Sequence, residues 1–185
     1  PETFSEDFLA QNRIDIERWL LDHDLDGPGH KERSPDLSKI DVPVLSAANW
    51  GGQGLHTRGN FEGYLAVPSK DKWLEAHGGA HWESFYTSYG IRLQKKFFGH
   101  FLKNEDTGMT RHPKVTLQIR HIDHFVERAE NEWPLARTEW TRFYLNPESG
   151  ALTREEPNHS GTLSFQSMGD GLLFLSAPLQ APMEI

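Results

Sequence analysis

Residues 42–48 form a short and almost entirely apolar run, and this run constrains the fold of the 185-residue chain more than any other feature. A strand that is apolar on both faces is typical of a parallel sheet covered by helices on both sides. A glycine turn and a helical pattern over residues 56–66 follow it. A second short strand is then expected over 72–76, and a second helical pattern over 86–101. This alternation of strands and helices predicts an α/β fold with right-handed crossovers.

The spacing of apolar residues changes after Pro113. Residues 115–121 alternate between apolar and polar side chains, which is typical of a half-buried antiparallel strand. Three further short strands are expected, over residues 138–145, 162–166 and 172–175. Short strands separated by turn residues predict a β-sandwich, so we place a domain boundary near residues 104–113.

Both ends of the chain suggest that the fold continues beyond it. A helix capped by Ser5 is expected over residues 5–22, and a loop over residues 23–39. Two parallel strands with their helices leave too much apolar surface exposed to form a stable sheet alone. We therefore expect the rest of a longer chain, or a complementing chain, to complete the sheet. The partner could also be a second copy of the same chain, which would make the protein a homo-oligomer.

Composition excludes several classes of protein. Nineteen Lys and Arg against 27 Asp and Glu give a net charge of −8, which argues against a nucleic-acid partner because a phosphate backbone requires a basic surface. No apolar run approaches the roughly 20 residues of a membrane-spanning helix, so no membrane partner is expected. The lack of cysteine excludes disulfides, thiol catalysis and cysteine-based zinc sites.

Two histidine pairs are weaker candidates for metal binding. His77 and His81 have the spacing of two ligands on a helix, but Gly78 and Gly79 between them disfavour a helix. The segment His121-Ile122-Asp123-His124 could trap a metal at the surface. Because neither pair matches an established zinc motif, we expect no metal site and no other cofactor.

His81 is the strongest candidate for chemistry. It follows the expected strand over 72–76 by a few residues, within a glycine-rich loop. Open α/β sheets bind ligands at the carboxyl ends of their strands, and a histidine placed there can serve as a general base. The alternative is a loop histidine that only caps the helix that follows.

Five segments, taken in order, carry a resemblance to a known family. They are residues 35–45, Gly78-Gly79-Ala80-His81-Trp82, residues 97–104, residues 115–119 with 132–135, and residues 175–179 with 183–185. This ordered set resembles the CocE/NonD (cocaine esterase-like) and X-prolyl dipeptidyl peptidase group of α/β-hydrolases. In that group the Gly-x-x-His segment carries the catalytic histidine, so the resemblance gives His81 that role.

The resemblance implies a domain organisation and a reaction. Residues 1–33 would end a helical cap, 34–108 would form the C-terminal part of the α/β-hydrolase sheet, and 109–185 would begin a truncated jelly-roll (galactose-binding-like) sandwich. The substrate would be a small-molecule ester or amide, of acyl or X-prolyl dipeptidyl type, cleaved through an acyl-enzyme. No Gly-x-Ser-x-Gly segment is present, so the serine nucleophile and the oxyanion hole would lie upstream, and the chain alone would be inactive.

One position departs from the family pattern. The family's aspartate should fall just after Trp50, yet residues 51–54 are uncharged. Glu62 is the first acid after the strand and could replace it as the carboxylate that orients His81. An acid upstream of this chain could do so equally, and Glu62 could instead be an ordinary solvated helix carboxylate.

Two tryptophans beside these loops complete the set of candidate site residues. Trp50 and Trp82 are expected to line a substrate pocket, or else to pack in the core or at a domain interface. The loss of the family aspartate also keeps a second function open. In that alternative the protein is a non-catalytic module whose β-sandwich binds a carbohydrate or another ligand.

Overall fold

The computed structural model describes residues 3–181, 183 and 184, and they divide between Trp133 and Pro134 into two compact units. Ile185, which closes the last of the resembling segments, lies outside the described residues. The first unit contains six α-helices among these residues: α1 (Glu6–Asn12), α2 (Ile16–Asp22), α3 (Pro28–Arg33), α4 (Arg58–Ala66), α5 (Glu83–Tyr86) and α6 (Ser88–Lys103). Its strands are β1 (Val44–Asn49), β2 (Lys72–His77), β3 (Val115–Arg120) and β4 (Phe125–Glu130).

The four strands form one mixed sheet in the order β1-β2-β3-β4. Strand β1 is parallel to β2, from Val44 opposite Lys72 to Asn49 opposite His77. Strand β3 is parallel to β2 and antiparallel to β4. The sequence-based prediction of an α/β fold over residues 40–102 is therefore confirmed.

Strand β2 is buried on both faces because a helix covers each of them. Leu74 and Ala76 face α4 and form a core cluster with Tyr64 and with residues of β1 and β3. Trp73 points to the other face, where it packs against Phe97 of α6. This two-sided burial explains why the sequence of β2 shows no regular alternation between apolar and polar residues.

The sheet extends further along the chain than the sequence indicated. We expected the β-sandwich to begin at residue 109, but Val115 and Leu117 are buried against β2, and β4 pairs along the whole of β3. The compact units accordingly divide after Trp133. An alternating pattern shows that one face of a strand is more buried than the other, but it does not show which sheet the strand joins.

The N-terminal helix expected over residues 5–22 is two helices in the structure. The Asp15 side chain accepts a hydrogen bond from the backbone N–H of Arg18 at 3.0 Å and begins α2. Such an N-cap stabilises a new helix start, which interrupts the apolar periodicity of the segment. The expected loop over residues 23–39 contains α3, which begins with Pro28 at its first position.

The close crossing of α5 and α6 at Gly90 leads to a stability prediction. A Cβ atom there would collide with the carbonyl oxygen of Ser84 and lie 2.9 Å from its carbonyl carbon. We expect Gly90→Ala to lower the free energy of unfolding by about 1–3 kcal/mol, because backbone cannot move aside as a side chain can. Urea denaturation measures this change.

Gly63→Ala is the matched control for that prediction. Gly63 lies in α4, and a Cβ at this position meets no atom within 4 Å. Alanine is favoured over glycine in a helix by about 1 kcal/mol, so this variant should be as stable as the parent chain or more so. Equal destabilisation of both variants would contradict the proposed clash.

The second unit contains less regular structure than a sandwich requires. Within its described residues, β5 (Tyr144–Asn146) and β6 (Ala151–Thr153) form an antiparallel pair, and Ala151 makes one bridge to Leu175. The expected strand over 162–166 is wrong, and the one over 138–145 is reduced to its end. Leu163 and Phe165 are 43% and 61% exposed, so no neighbouring strand covers them.

No helix among the described residues is both long enough and apolar enough to span a bilayer.

Candidate active site

Asn49 and the neighbouring Thr57 join the two loops that follow β1 and β2. Asn49 ends β1 and is 1% exposed, and its Nδ2 donates to the backbone carbonyls of residues 77, 78 and 79, each at 3.3 Å. The Thr57 hydroxyl donates to the backbone carbonyl of Asn49. These bonds fix the start of the glycine-rich loop against the end of the neighbouring strand.

Strand β3 supports both loops from the other side through Gln118. Its backbone carbonyl accepts a hydrogen bond from Trp50 Nε1 at 2.7 Å. Its side-chain Oε1 accepts one from the backbone N–H of Gly78 at 2.9 Å. The extension of the sheet by β3 therefore contributes directly to the geometry of this edge.

His81 lies exposed on the loop after β2, at the carboxyl edge of the parallel strands. Its ring stacks on the ring of His56, with the centroids 4.5 Å apart and the planes inclined by 20°. A stacked neighbour restricts the orientation of the His81 ring but leaves its edge nitrogens free to exchange protons. An imidazole held in this way is suited to general acid–base chemistry.

The position facing His81 Nδ1 is occupied by a glycine. A Cβ atom on Gly52 would lie 3.1 Å from His81 Nδ1. A Cβ on Gly51 would instead meet Asn49 Oδ1 at 2.9 Å and the Gly79 carbonyl at 3.1 Å. Position 52 is thus where a carboxylate would reach the imidazole, and the residue there has no side chain.

Glu62 lies beside Arg58 and not beside His81. It lies on α4, where its Oε1 is 3.8 Å from Arg58 Nε, and both side chains are mostly exposed. No hydrogen bond or ion pair joins it to His81 in the described part of the chain. Its role as the orienting carboxylate stays a prediction, and its observed geometry is that of a solvated helix residue.

The two tryptophans have different surroundings. Trp50 is half-buried, stacks on Phe61 at 5.6 Å and packs against the core cluster around Leu74. Its indole N–H is hydrogen-bonded to β3, and its ring packs against the core. Trp82 is 70% exposed beside His81. Substrate binding by either residue stays a prediction, and the exposure of Trp82 leaves that residue free to meet a ligand.

A buried ion pair beneath the His81 loop was missed by the sequence analysis. Glu75 Oε2 lies 2.8 Å from His77 Nδ1, and the two side chains are 4% and 8% exposed. The Tyr89 hydroxyl donates to Glu75 Oε1 at 3.3 Å. The signal that could have found the pair is the charged Glu75 between the apolar residues Leu74 and Ala76 of an expected buried strand, because a buried charge requires a partner.

Electrostatics favour the charged form of this pair. Burial alone lowers the pKa of His77, but the hydrogen bond and negative charge of Glu75, with the backbone carbonyl of His81, raise that pKa above its ordinary value. Burial, with the negative charges of Glu75 and Glu127, raises the pKa of the Tyr89 hydroxyl, so it stays protonated and can donate.

Comparison with known proteins identifies relatives of this chain, although no family model matches it. Cocaine esterase from Rhodococcus sp. (strain MB1 Bresler) is 28% identical over 170 residues, which span 82% of this chain and 29% of that protein. Two crystal structures of SACOL2612, a CocE/NonD family hydrolase from Staphylococcus aureus, superpose with a TM-score of 0.69 at 35% identity. Each match covers 77% of this chain.

The chain belongs to the CocE/NonD family. It spans little more than a quarter of the length of these relatives, 26% of the solved hydrolase and 29% of the esterase. Membership agrees with the α/β sheet of the first unit.

The histidines that the sequence offered for metal binding lie in different surroundings in this CocE/NonD chain. The rings of His121 and His124 stack at 4.9 Å between β3 and β4, and His124 Nδ1 lies 2.5 Å from Asp123 Oδ1. His77 and His81 are separated by their environments, one buried and one exposed. Within residues 3–181, 183 and 184, no three His, Asp or Glu side chains converge as metal ligands would.

The raised pKa of His77 predicts a pH dependence of stability in this CocE/NonD chain. Folding raises that pKa above 6.5, so the pair contributes fully below about pH 6.5. The contribution is lost as the pH rises through the raised pKa, by about 1.4 kcal/mol for each unit of pKa change. We expect the free energy of unfolding to fall across this window.

Comparison with Glu75→Gln isolates this effect from other titrating groups. The variant keeps the shape of Glu75 but removes the charge that holds the His77 proton. Urea denaturation at a series of pH values should show a smaller fall in stability for the variant than for the parent chain. If the free energy of unfolding fell equally with pH in the two proteins, the pH dependence would not come from the Glu75–His77 pair.

Proposed function

We propose that this chain is the histidine-bearing part of a CocE/NonD serine hydrolase that cleaves an ester or amide through an acyl-enzyme. The observation that carries the proposal is the position of His81. It lies exposed at the carboxyl edge of the sheet, and hydrogen bonds between the start of its loop and the side chains of Asn49 and Gln118 hold that loop. The relatives of the chain include an esterase and a hydrolase, which supports this class of reaction.

In the proposed reaction His81 moves a proton twice. It takes the proton of a serine hydroxyl as that oxygen attacks the substrate carbonyl, and returns it to the leaving group. It then activates water to hydrolyse the acyl-enzyme. Since Nδ1 faces Gly52, the opposite ring nitrogen is the one available for these transfers.

The proposal requires residues beyond this chain. The serine and its oxyanion hole would come from the rest of the hydrolase polypeptide, from a complementing chain or from a second copy. Strand β1 ends the observed sheet, and its open edge is the place where further strands could pair. We further propose that residues 1–33 end a helical cap and that the second unit begins a jelly-roll domain. The substrate would be an acyl ester or amide, or an X-prolyl peptide.

Labelling with a fluorophosphonate probe tests the function. The longest natural form of the protein should react at one serine and should hydrolyse at least one simple ester or X-prolyl amide. Intact-mass measurement should give a mass well above 21.2 kDa, or a second polypeptide that copurifies. A natural protein with no labelling and no hydrolysis would overturn the proposal.

A ligand-binding module is the second candidate, favoured by the glycine at position 52. The second unit contains an open groove lined by polar and apolar side chains, among them Tyr144, Asn158, His159 and Phe174. Binding of carbohydrates by the chain, measured by calorimetry, together with failure of fluorophosphonate labelling would favour this candidate over the hydrolase.

A further inference from the structure

A second histidine, His56, lies against the ring of His81. The two ring centroids are 4.5 Å apart and the planes are inclined by 20°, so one face of each ring is covered by the other. Within the part of the chain that the structure describes, no hydrogen bond or ion pair reaches the His81 ring. The stack on His56 therefore sets the plane of this imidazole, and it leaves the nitrogens at the ring edge open to reactants.

The backbone around His56 is itself held in place. Residues Gln53–Thr57 form a π-helical turn, a rare conformation that is frequent at functional sites. Its last residue, Thr57, is buried, and the Thr57 hydroxyl donates to the backbone carbonyl of Asn49 at the end of β1. Asn60 Nδ2, on α4, donates to the His56 carbonyl at 3.0 Å. His56 thus lies on an anchored turn.

Gly52 leaves the space in which the two rings meet. A Cβ atom there would lie 3.1 Å from His81 Nδ1 and 3.6 Å from the Cβ of His56. The two histidines therefore approach the same backbone position, although one follows β1 and the other follows β2. Because the rings meet beside the backbone of a third residue, both side chains are restricted on that side.

We propose that His56 is a positioning residue that orients the His81 imidazole by stacking, at a site where the carboxylate of the family pattern is absent. A carboxylate fixes a catalytic imidazole by a hydrogen bond to its edge, whereas His56 fixes the plane of the ring through its face. The effect on catalysis rests on the proposed function, whereas the stack does not. Since the role requires only a ring face, another flat ring at position 56 should serve as well.

The experiment compares His56→Ala with His56→Phe in the natural form of the protein. Phenylalanine keeps a flat ring at this position but has no ring nitrogen, so it separates stacking from proton transfer. We expect kcat to fall about 10- to 100-fold in His56→Ala, because a misoriented catalytic group reacts more slowly, with KM changed less than about threefold. In His56→Phe, kcat should return to within about threefold of the parent value.

His124→Ala is the matched control, because it also removes one ring of a stacked histidine pair. His124 stacks on His121 with the centroids 4.9 Å apart, between β3 and β4. In this variant kcat should stay within about twofold of the parent value. Unchanged kcat in His56→Ala, an equal loss in His56→Ala and His56→Phe, or an equal loss in the control would overturn the inference.

A second measurement uses the unmodified protein and does not depend on the folding of a variant. Nuclear Overhauser effects in the natural protein with isotope-labelled histidine should connect the ring protons of His56 and His81, and their absence would overturn the inference. If His81→Ala abolishes hydrolysis and His56→Ala leaves it unchanged, the proposed function stands and this inference fails. If the protein hydrolyses no ester or amide, the proposed function fails, and the contact between the rings alone decides whether His56 orients His81.

Discussion

Replacing His81 with alanine is expected to lower kcat/KM for ester hydrolysis by at least about 1,000-fold, which corresponds to about 4 kcal/mol of transition-state stabilisation. In the proposed reaction the imidazole both activates the serine and protonates the leaving group, so its loss removes both steps. The ring is exposed and makes few packing contacts, so the free energy of unfolding should hardly change. Steady-state kinetics and urea denaturation measure the two quantities.

His121→Ala is the matched control for that variant. His121 is also an exposed histidine, but it lies at the end of β3 and stacks on His124 instead of His56. Its replacement should leave kcat/KM within about twofold of the parent, since surface substitutions have small effects. A fall of equal size in both variants, or none in His81→Ala, would remove His81 from the mechanism.

Placing an aspartate at position 52 is expected to raise kcat/KM by about tenfold or more. The Cβ of this residue would lie 3.1 Å from His81 Nδ1, so its carboxylate can hydrogen bond to that nitrogen after a small shift of the exposed ring. A carboxylate there fixes the imidazole tautomer and stabilises the imidazolium. The gain should appear mainly in kcat, because the positive charge develops during the reaction.

Gly52→Asn separates the charge from the added volume. Asparagine has the size of aspartate but cannot stabilise a positive ring in the same way, so this variant should gain little or lose activity. If Glu62 is the working carboxylate, Glu62→Gln should lower kcat/KM strongly, and Gly52→Asp should bring no gain. That pair of results would contradict the inference that position 52 is where a carboxylate can orient His81.

The α/β part of the fold could be predicted because burial leaves a direct mark on the sequence. Strand β2 is covered by α4 and α6, so its residues are buried on both faces, and glycines mark the turn where it ends. Strand β3 could not be assigned to the same sheet, because its alternation is a local property and its pairing with β2 is not. The break between α1 and α2 depends on one cap, Asp15.

The candidate site could be predicted only in part, for similar reasons. The loop position of His81 follows from the end of β2, but its stacking on His56 arises from two loops that are distant in sequence. Trp50 bonds to Gln118, 68 residues further along the chain, and no local pattern indicates that contact. Glu75 did carry a local signal, a charge in a buried strand, yet its partner could be recognised only from the structure.

A crystal structure of the natural protein labelled with a fluorophosphonate tests the central claim most directly. The account predicts a phosphonylated serine at the rim of this sheet, with a ring nitrogen of His81 within about 3.5 Å of the serine oxygen or the phosphonyl group. Labelling at a serine well outside hydrogen-bond reach of His81, with another histidine beside the phosphonyl group, would contradict it.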